Sequence, residues 1–65
     1  MSRRQWVVET VDSDGGDNTW AGHAANDREA RRAAINHHEA ALNLADPEAG
    51  PFIWVQSIEP VTEGA

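Results

Sequence analysis

Three histidines and an acidic, glycine-rich turn are the residues of this 65-residue chain whose types and spacing could do chemistry. His37 and His38 are neighbours on an expected helix, so their side chains diverge by about 100° and cannot share one metal as histidines four apart can. His23 can in principle join His37, with Asp27 or Glu39 nearby, in a site of nitrogen and oxygen donors. His23, His37 and His38 are therefore the metal-ligating candidates, with symmetry-related copies of His37 or His38 across a dimer axis the better geometry. The simpler expectation is polar or half-buried histidines with no ligand role, and no metal or other cofactor.

The turn Asp12 to Asn18, DSDGGDN, gathers three aspartates and invites a calcium reading. Counted from Asp12, an EF-hand loop needs glycine at its sixth position and glutamate at its twelfth, but these are Asp17 and His23. The match fails, and the stretch reads as a hairpin turn in which Gly15 and Gly16 can take positive φ. The glycine pair also precedes a strand and has no lysine beside it, so it is not a phosphate loop.

Nucleophilic catalysis needs a serine, threonine or cysteine with a base in reach. Cysteine is absent, and Ser2, Ser13 and Ser57 lie in a lead, a turn and a strand with no surrounding motif. A protomer this small leaves little room for a pocket of the usual several hundred Å³, and no enzyme activity is expected.

The element that must position these residues is the stretch Asn26 to Asp46, expected to be helical over about 27–45. Asn26 and Glu29 have capping-box spacing, and Asp27 and Glu29 place negative charge at the positive end of the helix dipole. Pro47 cannot continue the helix. Projection at roughly 100° per residue puts Arg28, Glu29, Arg32, Asn36, Glu39 and Asn43 on a polar arc. Ala30, Ala33, Ala34, Ala40, Ala41, Leu44 and Ala45 lie opposite with His37 among them; Ile35 and Leu42 form a shoulder beside Arg31 and His38. An alanine face lets the helix approach its neighbour closely, so Trp6, Trp20, Trp54 and Phe52 must supply the bulk.

Three strands are expected at about 5–11, 19–25 and 52–58, with a frayed tail at 61–65. Gly22 in the second strand suggests a bulge or a close backbone approach, and Pro60 ends the third strand or marks it as an edge. The order β, β, α, β predicts a single small α+β domain over 1–65, a ββαβ unit. Its three-stranded, mainly antiparallel sheet has order 2-1-3, with one helix packed on one face and a right-handed crossover. Trp6 and Val8 are expected to face the helix, and Trp6 and Trp54 to fill the core. The other face carries Val7, Val11, Ile53 and Val55, or alternatively Trp54 and Phe52, and one helix cannot cover it.

Length and charge bound the function. A chain this short buries only about 60% of the surface its unfolded form exposes. Without cysteine it has no disulfide framework, which leaves self-association as the common way to bury more. Five arginines, no lysine and eleven acidic residues give a formal charge of −6. That balance disfavours direct nucleic-acid or membrane-surface binding, because both rest on cationic side chains. No apolar run is long enough to span a bilayer and no signal-peptide core follows Met1, so the expected location is cytoplasmic.

These observations predict a small acidic protein-interaction module, a homodimer or a subunit or modulator of a larger protein. Trp20, Ile35, Leu42 and Val55 are its partner-binding candidates. Two other readings follow from the same residues. One is an acidic nucleic-acid mimic, which needs Asp12, Asp14, Asp17, Glu9 and Glu59 on one surface; the other is a histidine-based metal-binding protein.

Overall fold

A computed structural model describes residues 3–43 and 50–61. The elements are β1 (Arg4–Asp12), β2 (Asp17–Ala24), α1 (Asp27–Leu42) and β3 (Ile53–Pro60). They form an α+β unit with a three-stranded antiparallel sheet of order β2-β1-β3 and one helix, as the element order predicts.

β1 is central because its β-branched residues suit pairing on both sides. Its even residues bond toward β2: the ladder starts at the Asp12 amide, which donates to the Gly16 carbonyl (2.9 Å), and alternation carries it through Thr10, Val8 and Trp6. Its odd residues bond toward β3, which the Val61 amide shows by donating to the Gln5 carbonyl (2.7 Å). Val61 is thus tied to the sheet, not frayed; residues 62–65 lie outside the described residues.

The hairpin is closed by Gly15, at φ 90°, whose amide donates to the Asp12 carbonyl (3.0 Å). A residue with a Cβ would be strained there. At the start of α1, the Asn26 side chain accepts from the Glu29 amide (2.9 Å), the forward half of the expected box. The Glu29 carboxylate turns to the Arg3 guanidinium instead of to the Asn26 amide. The helix stops at Leu42, earlier than Pro47 requires, because Asn43 takes the left-handed conformation (φ 53°, ψ 51°) and its amide bonds back to the Ala40 and Glu39 carbonyls. The expected stop at 44–46 lies outside the described residues.

The alternation of β3 is broken once. Glu9 pairs with Ser57 and Thr10 with Val55, so Gln56 is the extra residue of a β-bulge. The bulge puts Val55 and Ile58, three positions apart, on the same face, where both pack against the core. It corrects the simple two-residue alternation, which puts Phe52, Trp54 and Ile58 together. Ile53 and Val55 lie toward the helix, while Trp54 lies opposite Val11 on the side away from it.

The core is small: Trp6, Val8, Ala24, Ala30 and Ala34, with Trp20, Val55 and Ile58 packed around it. Trp6 also donates its indole N–H to the Ala24 carbonyl (3.1 Å), which satisfies its polar atom. Trp54, expected in the core, is 51% exposed, and Phe52 is 60% exposed. The buried stripe of α1 is Ala30, Ala34 and His38, four residues apart, while Ala40 and Ala41 are exposed.

Candidate functional site

Among the described residues, three of the eight that are buried are polar: Thr10, Asp12 and His38. They form one connected network between sheet, hairpin and helix. His38 Nε2 lies 3.0 Å from Asp12 Oδ2, and His38 Nδ1 lies 2.8 Å from Thr10 Oγ1. The other Asp12 oxygen, Oδ1, accepts from the amides of Asp14 (2.8 Å) and Gly16 (3.0 Å).

The local sequence explains the arrangement. Thr10 and Asp12 are two apart on β1, so both point to the helix side, and Asp12 stands where the chain turns and its amides become free to donate. Gly16 is needed at this point, because a Cβ there would sit 2.6 Å from Asp12 Oδ2, an atom already held by His38.

The Gly16 amide, more than any other group, holds the Asp12 carboxyl below the usual carboxylate range; the Asp14 amide and His38 add to this, and burial opposes it. An ionised Asp12 only accepts, so Nε2 of His38 carries the proton in their shared bond. Nδ1 can then accept from the Thr10 hydroxyl in the neutral ring, or donate to it in the charged ring while the hydroxyl turns to the Asn18 carbonyl, 3.4 Å away. The ring keeps both partners in either state.

An aspartate, a histidine and a hydroxyl in series are the parts of a nucleophilic triad. Thr10 is only 1% exposed and its oxygen is enclosed between helix and sheet, so no acyl carbon can approach it in this conformation. What the network does is fix the helix on the sheet. A one-residue rotation would bring His37 or Glu39 to the Asp12 and Thr10 positions and leave buried polar atoms without partners, which costs about 1–3 kcal/mol each.

The remaining histidines are apart from this cluster. His37 is exposed on α1, and His23 is exposed on β2 on the sheet face away from the helix. The suggested His23–His37 pairing therefore spans opposite sides of the sheet, and no group of three or more metal-ligating side chains occurs among the described residues. Of the carboxylates that a nucleic-acid mimic would present, Asp12 is buried.

Trp20 is half-buried against the core, and its indole lies over Gly22, where a Cβ would come within 2.5 Å of the ring. This is the close approach that Gly22 serves: an aromatic ring and not a backbone, with the β1–β2 register unbroken through it. Val55 is half-buried on the helix side, while Ile35 and Leu42 are half-buried on α1. Ile35 lies in a shallow furrow of about 430 Å³ with Arg28, Arg31, Arg32, Asn36 and Glu39 along the outer face of the helix.

One of the two large exposed apolar side chains among the described residues, Trp54, is on the side of the sheet that α1 does not cover. Trp54 stands across from half-buried Val11, Val7 lies further along the same face, and Glu9, Glu59 and Asp17 are exposed around them. Ser57 Oγ donates to Glu9 Oε2 (3.4 Å), and a polar depression of about 210 Å³ opens between Glu9, Asp17, Asn18, Thr19 and Gln56. No helix of the described residues is long and apolar enough to cross a membrane. No protein-family model, curated protein or solved structure matches the chain.

Proposed function

We propose that this protein is a small acidic protein-interaction module, and that the uncovered face of its sheet is the surface it presents. The observation that carries this reading is Trp54, 51% exposed beside Val11 on the face that α1 does not cover. Aromatic side chains dominate binding hot spots, and a large exposed one rimmed by polar groups is typical of a docking patch. The acidic rim of Glu9, Glu59 and Asp17 selects a partner surface that offers basic residues around an apolar centre. Of the partner-binding candidates Trp20, Ile35, Leu42 and Val55, Trp20 and Val55 serve the core, so Trp54 and Val11 take the anchoring role in this proposal.

The test is affinity capture from the native source with the wild-type protein and Trp54→Ala as baits. A protein retained by wild type and lost with Trp54→Ala, at unchanged circular dichroism, is the expected result. Equal retention by both baits would remove the uncovered face from the reading.

A further inference from the structure

The two edges of the sheet are finished differently. On β3 the groups that face away from β1 belong to Ile53, Val55, Ile58 and Pro60. Pro60 has no N–H to offer and the bulge at Gln56 breaks the repeat, both of which are devices that blunt an edge. β2 has neither. Its pairing with β1 is unbroken from Asp17 to Ala24, it contains no proline, and its even residues bond inward. Asp17, Thr19, Ala21 and His23 therefore direct their N–H and C=O groups outward, and all four are exposed.

We infer that β2 pairs antiparallel with β2 of a second copy of this chain, about a two-fold axis at Trp20. Only an extended backbone offers donors and acceptors at the spacing of this edge. The side chains along the edge then select a second copy and a register. With Trp20 opposite its own counterpart, Thr19 faces Ala21 and Asp17 faces His23, twice by symmetry, on the same side of the sheet. Moving the pairing by two residues either way sets Asp17 against Ala21 or Ala25 and loses both carboxylate–imidazole pairs. The same register puts the two Trp20 residues at a non-hydrogen-bonded position, where opposed Cα atoms are about 4.5 Å apart and side chains touch most closely. The product is a six-stranded sheet with both helices on one side and the two Trp54 faces continuous on the other. It does not require the Trp54 reading to hold, since it rests on the backbone edge of β2 and shares with the Trp54 face only the rim residue Asp17.

The experiment is light-scattering mass across a dilution series, at about 0.15 M salt to screen the charge of −6 on each chain. Wild type is expected to move from 7.1 kDa to twice that mass as concentration rises. Ala21→Pro deletes an outward N–H that β1 does not use, and is expected to stay at the lower mass with its helix signal intact. Asp17→Lys is expected to weaken the dimer by about tenfold, and Asp17→Lys with His23→Glu to restore it.

A wild type that stays monomeric to millimolar concentration overturns the inference and leaves the Trp54 proposal standing. A folded Ala21→Pro that still dimerises overturns it as well. If Ala21→Pro does not fold, the charge exchange decides: equal weakening by the single and double variants would overturn the register and with it the case for a second copy.

Discussion

One sheet presents two unlike faces. Toward the helix, β1 shows Trp6, Val8, Thr10 and Asp12, all buried; away from it, the same strand shows Val7 and Val11, only half-buried, and exposed Glu9. The covered face gains its stability from a short list of side chains packed under alanines that bring the helix close. Because those alanines contribute little area, a buried polar network shares the task of positioning the helix. The uncovered face carries large apolar groups that add little to the fold as it stands. In a domain this small, the residues that specify the structure and those free to bind are separated by the alternation of single strands.

The sharpest way to break this contrast is to truncate the covered face. Trp6→Ala is expected to cost about 3–5 kcal/mol, enough to leave a chain of this size largely unfolded at 25 °C by circular dichroism. His38→Ala follows at about 3 kcal/mol, from a cavity under the helix and the loss of both ring partners, read as a drop in urea midpoint.

Asp12 sharpens the comparison through pH. Its carboxyl is lowered in the folded state, so its contribution is present above the unfolded value of about 3.9 and is lost as pH falls through the lower folded value. Wild type should lose stability on acidification below about pH 4, and Asp12→Asn should start less stable at neutral pH and show a flatter acid limb. The smallest effect belongs to the uncovered face. Trp54→Ala is expected to change stability by no more than about 0.5 kcal/mol, although it removes the largest side chain type there is. A loss of several kcal/mol would place Trp54 in the core after all.

Much of the candidate site was out of reach of a reading by periodicity. His38 falls on the shoulder of the helical projection beside Ile35 and Leu42, and an apolar count gives no reason to bury it. The available signal was the spacing of 30, 34 and 38 on one helical row, together with an aspartate and a threonine two apart at the end of a strand. Such a row becomes informative only once a turn aims Asp12 at it. The exchange of Trp54 for Val55 and Ile58 has a different origin. A bulge shifts the parity of a strand by one residue, and Gln56 carries no mark that distinguishes it from any other strand residue.

The sequence by itself determined the order of elements, the hairpin turn, the capped start of the helix and, through the strand order that this connectivity favours, the sheet arrangement 2-1-3. These follow from local chemistry: glycine at positive φ, an asparagine cap, β-branched runs. The tertiary structure alone decided which residues of β3 join Trp6 and Val8 under the helix, which tryptophan stays outside, and that one histidine of an adjacent pair is buried while the other is exposed. β3 is apolar on both sides, so local pattern leaves its two faces equivalent. Packing resolves them, in an arrangement where His38, Thr10 and Asp12 satisfy one another out of reach of water.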